Sequence, residues 1–248
     1  MTPAFDDLPV TLPPGCVGAL VVGDPAAWSE AFEWPTELTD AAATRRADFL
    51  MGRLAAVEAL RRIGAEGSVG RSLDGAPVWP EGIAGSLTHH SGVAAAIVGR
   101  EIGGLGIDIC PRLDGDRLRA VVRQCLTEPE RERWASEEAA TLAFAAKESI
   151  YKAAYPRAQR FIGFAEAEVV AISATPSAVE KCHPVDGSDR RTQAGSWTAV
   201  LADDLARLLG VDAVEGTYAW DGSLLYAVLA LRRMEASVVP SHGSAHTL

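Results

Sequence analysis

Three groups of residues have types and spacings that could do chemistry. The first is Glu148, set between Lys147 and Lys152 in the run from Phe144 to Ala154. Alone it reads as an i,i+4 pair on a wet face, worth about a few tenths of a kcal/mol. The second is Asp108, in Gly106-Ile107-Asp108-Ile109-Cys110. An aspartate in a β-branched run is disfavoured by propensity, so it calls for a partner, either a buried hydrogen-bond network or a metal. The third is cationic: Arg45, Arg46 and Arg53, with Arg71 and His89 further on. Guanidinium forks match phosphate oxygens, although the same arginines could form a solvated basic face. His89 could equally be a satisfied structural group. Its neighbours Ser86 and Thr88, with the glycines around them, would let a polar ligand approach the backbone.

The elements that must position these groups follow from pattern. A helix is predicted from just after Glu137 to Tyr155, rich in alanine and free of glycine over Phe144 to Ala154, and Pro156 is expected to stop it. On it Phe144, Glu148 and Lys152 stack along one side, with Lys147 and Tyr151 in the adjacent row. A second helix is predicted from Thr44, as its cap, to Ile63, with Gly64 just past its end. Its apolar face carries Phe49, Ala56, Leu60 and Ile63. Arg46 and Arg53 lie about 20° apart in projection and Arg45 about 80° from Arg53. Strand alternation places Leu105, Ile107 and Ile109 on one face and Gly106, Asp108 and Cys110 on the other. Further strands are expected at Val17 to Val22, Val93 to Val98, Ala167 to Ile172, Trp197 to Leu201, Gly216 to Trp220 and Leu224 to Leu231. Pro111 to Glu137 is charged and helix-prone. A loop is expected over Asp186 to Gly195, and the last dozen residues are expected to fray.

Composition narrows the function classes. The 248 residues are 48% hydrophobic and 23% charged, the make-up of an ordinary globular protein. A net charge of -10 argues against nucleic-acid binding and means that an anionic ligand must be held by local cationic clusters. The four cysteines, Cys16, Cys110, Cys125 and Cys182, show no paired spacing for zinc or a redox couple. With no signal-peptide pattern and no run able to span a bilayer, a reduced, cytoplasmic protein is expected, without a membrane partner.

Four segments taken in order resemble a known family. They are Arg45-Arg46-Ala47-Asp48-Phe49 with Arg53, Ser86-Leu87-Thr88-His89, Gly106-Ile107-Asp108, and Phe144 to Lys152 with its Lys147-Glu148 pair. Together they are similar to the surfactin/enterobactin-type 4′-phosphopantetheinyl transferases over residues 44 to 165. The resemblance implies transfer of 4′-phosphopantetheine from coenzyme A to a serine of an apo acyl- or peptidyl-carrier protein, with release of adenosine 3′,5′-bisphosphate. It implies magnesium held by Asp108 and Glu148, with Glu148 also accepting the serine proton, directly or through a metal-bound water. Lys147 and Lys152 are placed near the pyrophosphate. His89, Arg53, Arg71 and one of Arg45 or Arg46 are placed at the 3′-phosphate; the family pattern favours Arg45 and the helical projection Arg46. Thr88 is placed against the nucleotide through its backbone or hydroxyl. Where many relatives carry a further acidic ligand this chain has Cys110, a soft and mostly protonated group. Two protein ligands, with water or a nearby group in the third place, are therefore expected, and with them weaker metal affinity or tolerance of manganese.

The implied fold is α+β: two similar halves related by a pseudo-twofold, each a small antiparallel sheet packed on a long helix. The expected division is 1–102, with the coenzyme A phosphate-binding helix and loop, and 103–248, with the metal site and catalytic helix. A monomer is expected. The arginines from Arg117 to Arg133 offer a docking surface for the carrier. Fatty acid, polyketide, non-ribosomal peptide and siderophore carriers are all open. Two alternatives use the same residues: another magnesium-dependent nucleotide-handling enzyme, and a non-catalytic coenzyme A-binding relative.

Overall fold

Continuous burial along the central strands, with alternation on the outer ones of the second sheet, sets the architecture. The computed structural model describes residues 3–28, 34–35, 38, 40–175 and 193–233. Strands β1 (Phe5–Asp6), β2 (Cys16–Val22), β5 (Ile83–His90) and β6 (Val93–Arg100) form one sheet, in the order β1-β2-β6-β5. Strands β3 (Gly70–Arg71) and β4 (Pro77–Val78) make a short separate hairpin. The second sheet runs β7-β11-β10-β9-β8, from β7 (Ile102–Pro111), β8 (Ala167–Ala174), β9 (Gln193–Leu201), β10 (Ala213–Asp221) and β11 (Leu224–Arg232). All neighbouring strands in both sheets are antiparallel.

Helix α1 (Ala43–Arg62) covers the outer face of the first sheet, Met51, Ala55 and Ala59 packing on Ala19, Val21, Ala94 and Ala96. Helix α4 (Glu137–Ala158) covers the second, Ala146, Ile150 and Ala153 joining Leu225, Ala227 and Leu229 in one core. Between the sheets lies a third core, where Leu20, Ala95 and Ile97 meet Leu105, Ile107, Ile109, Tyr226 and Val228. The layers therefore run α1, sheet, sheet, α4. Each half is a helix-on-sheet pair, and the halves bury their remaining apolar faces against each other. Between β7 and α4 the chain forms α2 (Gly115–Cys125) and α3 (Glu128–Arg133); α5 (Asp203–Leu209) joins β9 to β10.

Several local expectations need correction. Helix α1 begins at Ala43 behind Ala42, and no side chain caps it, so Thr44 lies inside its first turn. Pro156 does not stop α4. It sits exposed in the last turn, where only one ladder bond is lost, and the helix ends at Gln159 in the left-handed region. At its other end α4 is capped by Ser136, whose hydroxyl accepts from the Ala139 amide. The expected loop at 186–195 and the C-terminal dozen lie mostly or wholly outside the described residues, and Gln193 to Gly195 belong to β9. Cys182 also lies outside them. No helix among the described residues is long and apolar enough to cross a membrane.

Candidate functional site

The site is built where the open edges of the two sheets meet. Strand β5 ends one sheet and β7 ends the other. Edge amides left unpaired in a buried seam would be destabilising, and here side-chain hydroxyls satisfy them. The Ile107 amide donates to Ser86 Oγ at 3.2 Å and the Ile109 amide to Thr88 Oγ1 at 3.2 Å. The Thr88 hydroxyl in turn donates to Asp108 Oδ1 at 3.3 Å.

From the other side α4 lies directly on β7, because glycines leave room. A Cβ on Gly106 would stand 1.9 Å from the Ser149 carbonyl oxygen, and one on Gly104 would stand 2.2 Å from that of Ala153. This contact brings Lys152 over the strand. Its ammonium donates to Asp108 Oδ1 at 2.8 Å and to the Ile107 carbonyl at 2.9 Å. Asp108 is only 9% exposed, and both bonds end on one of its oxygens. Half-buried Glu148 shares this charge field. Burial first, then the charge of Asp108, raises its pKa, with Lys152 opposing. Two carboxylates that repel each other across a cleft could hold a hard cation or a proton.

Along β5 the cleft continues into a cavity of about 310 Å³ lined by Arg45, Asp48, Arg53, Arg71 and His89, with Phe49 and Leu87. Arg53 is 9% exposed, donates to the Gly70 carbonyl at 2.9 Å and stacks 4.4 Å from the Phe49 ring centroid. Burial, with Arg71 adding to it, lowers its pKa to about 10. Such a guanidinium pair favours an anion between its members. His89 Nδ1 stands 3.5 Å from Asp48 Oδ1. Burial lowers the His89 pKa, with Asp48 the largest opposing influence. Arg46, by contrast, lines a different cavity and lies over the Trp34 ring, so Arg45 is the one that joins Arg53 and Arg71.

The two halves match the known families separately. The 4′-phosphopantetheinyl transferase N-terminal domain matches residues 34–99, and the 4′-phosphopantetheinyl transferase superfamily matches residues 104–204. The chain is also 33% identical over 191 residues to 4′-phosphopantetheinyl transferase Svp of Streptomyces mobaraensis, covering 68% of this chain and 76% of the relative. It belongs to the 4′-phosphopantetheinyl transferase superfamily. Further relatives are Enterobactin synthase component D of Salmonella typhi, 34% identical over 56% of this chain and 60% of the relative, and 4′-phosphopantetheinyl transferase Npt of Nocardia iowensis, 37% identical over 50% and 59%. For these two the chain spans about 60% of the relative's length.

Lys147, Thr88 and Cys110 are each held by protein contacts. Lys147 is turned into the protein. Its side chain is 2% exposed, and its ammonium donates to Glu130 Oε2, the Cys125 carbonyl and the Phe164 carbonyl. The Thr88 hydroxyl is committed to the seam, and it is Leu87 and His89, on the alternate face of β5, that line the arginine cavity. Cys110 is 4% exposed and its thiol donates to the Pro111 carbonyl at 3.3 Å. Burial, then Asp108, pushes its pKa up to about 12. Among the described residues no group of three His, Cys, Asp or Glu side chains is placed to hold a metal. Sequence reading missed Asp48 and Glu130. Asp48, three residues after Arg45 on α1, was within reach of helical spacing; Glu130 gave no such signal.

Proposed function

We propose that this protein transfers 4′-phosphopantetheine from coenzyme A to a serine hydroxyl of an apo acyl- or peptidyl-carrier protein. The observation that carries the reading is the continuity of two chemistries across one seam. The cavity of Arg45, Arg53, Arg71 and His89 belongs to the first half, and Asp108, Glu148 and Lys152 stand next to it on the second. Coenzyme A has phosphates at two separated places, and this cleft offers cationic groups at two separated places. We divide the chain at 102/103; the unmatched residues 100–103 between the two family matches support that division.

In this reading Arg45, Arg53, Arg71 and His89 hold the 3′-phosphate and fix the nucleotide end. The donor set suits magnesium: hard carboxylate oxygens from Asp108 and Glu148, with the neutral Cys110 thiol contributing nothing. When bound, magnesium supplies charge neutralisation at the pyrophosphate. Glu148 accepts the proton as the serine oxygen attacks the pantetheine-side phosphorus, a role its raised pKa suits. The new serine O–P bond forms as the pyrophosphate bridge breaks, and adenosine 3′,5′-bisphosphate leaves with the bond's electron pair. Lys152, fixed by Asp108 and the Ile107 carbonyl, stabilises the charge that gathers on the phosphoryl oxygens. Arg117 and Arg123, exposed on α2, offer cations to an acidic carrier protein.

The test is incubation with coenzyme A, magnesium and each of several apo carriers, followed by intact mass measurement. A gain of one phosphopantetheine on the carrier serine is expected. Turnover of coenzyme A with no carrier present, or no gain on any carrier, would replace this reading with that of a different nucleotide enzyme or of a binding protein. Manganese should substitute for magnesium. In a metal titration, C110E should reach half-activation at lower metal, since it adds a third carboxylate.

A further inference from the structure

Lys147 is adjacent to Glu148 in sequence, but its ammonium is turned into buried protein contacts. An ammonium has three protons to donate, and each has an acceptor: Glu130 Oε2 at 2.5 Å, the Phe164 carbonyl at 2.8 Å and the Cys125 carbonyl at 3.0 Å. Glu130 is fully buried at 0% exposed. Its carboxylate also accepts from the Thr127 amide at 2.7 Å and the Val169 amide at 2.7 Å. One ion pair thus ties together the end of α2, the cap of α3, α4, the turn at Phe164 and the start of β8. Lys147 and Phe164 also line a cavity of about 280 Å³ that Glu148 shares, with Tyr151, Phe161 and Ile162.

Turning Lys147 toward a phosphate would leave the Glu130 carboxylate buried without its cation, an arrangement proteins strongly avoid. We infer that Lys147 is a positioning residue: with Glu130 it sets the α2–α3 segment and the 161–164 turn relative to Glu148, and it takes no part in binding phosphate. The pair works as a post beneath the exposed α2 surface. Its removal misplaces that surface relative to Glu148 while leaving the arginine cavity of the other half intact. The kinetic part of this inference rests on the transfer reading proposed above; the binding and stability parts do not.

The experiment is a double-mutant cycle in the full chain, with K147M, E130Q and K147M/E130Q. Three quantities are measured for each: the melting temperature, the Kd for adenosine 3′,5′-bisphosphate, and kcat and KM for an apo carrier. K147M alone should melt far below wild type, and adding E130Q should recover part of that loss, because no charge is then left buried and unpaired. In the double variant the bisphosphate Kd should stay within about twofold of wild type, while the carrier KM rises by about tenfold or more. A tenfold weaker bisphosphate Kd in both K147M and the double variant would make Lys147 a phosphate ligand and overturn the inference. So would melting effects that simply add, or an unchanged carrier KM. If K147M does not fold, the comparison of K147M/E130Q with wild type and E130Q still decides. If wild type modifies no carrier, the transfer reading falls, and the melting and bisphosphate measurements still judge Lys147.

Discussion

Glu148 and His89 carry opposite electrostatic burdens, and each yields a prediction at the scale of a single residue. Glu148 is held near Asp108 with its pKa raised by burial and by that neighbour's charge, so its ionised form is under strain in the folded protein. Replacing it by glutamine removes the repulsion and keeps the shape. E148Q should therefore melt at or above the wild-type temperature while transfer falls by about 10²- to 10⁴-fold, the range for loss of a positioned proton acceptor. A stable variant that retained transfer would remove Glu148 from the mechanism. His89 is held neutral, its pKa depressed chiefly by burial. The sign of the pH effect follows. As pH falls through the ordinary histidine range, the unfolded chain takes up a proton before the folded one, so free-protein stability declines until pH passes the lower folded pKa. A phosphate beside His89 and three arginines favours the imidazolium, so ligand binding takes up a proton. Affinity for adenosine 3′,5′-bisphosphate should then rise from pH 8 to pH 6, more steeply in wild type than in H89Q. Equal slopes by calorimetry would show that the ligand's own titration accounts for the effect.

At the scale of elements, the chemistry depends on how closely α4 approaches β7. Gly106 is the contact point, since a methyl group there would overlap the Ser149 carbonyl, a backbone atom with nowhere to move. G106A should destabilise by about 3 kcal/mol or more, the upper end for overpacking, read from chemical denaturation. Material that still folds should lose transfer, because shifting α4 separates Lys152 from Asp108. A neutral G106A would mean that α4 is free to slide. These elements were largely legible in the sequence. The alternation of Leu105, Ile107 and Ile109 placed Asp108 on the face toward α4, and the alanine-rich run gave the helix itself. The termini were not legible: Thr44 has the chemistry of a cap but lies within the helix, and Pro156 is tolerated in a last turn that soon ends. Nor was the direction of Lys147. Helical projection put it one row from Glu148, but its position is decided by Glu130, 17 residues away, and by two carbonyls from segments that no local pattern links to it.

At the scale of the whole molecule, one site has to be shared by two sheets that are not continuous with each other. Their apolar faces pack together, but packing alone is non-directional and does not fix the sliding of one sheet along the other. Register comes from the seam, where Ser86 and Thr88 stand in for the missing strand and accept the amides of Ile107 and Ile109. The Tyr155 hydroxyl on α4 reaches Asp74 on the turn between β3 and β4, a second link across the same boundary. The seam therefore serves stability and function at once, since the phosphate cavity lies on one side of it and the carboxylates on the other. S86A/T88V keeps the side-chain volumes close to native and leaves two buried amides without acceptors, each costing about 1–3 kcal/mol. The double variant should lose about 2–6 kcal/mol in denaturant unfolding. Under native conditions it should lose transfer and coenzyme A affinity together, because the ligand's two ends are then held by halves out of register. Adenosine 3′,5′-bisphosphate, anchored chiefly by the first half, should lose less affinity than coenzyme A does. If both ligands weakened equally, or neither did, the seam would be no more than a structural joint and the two halves would not share one ligand.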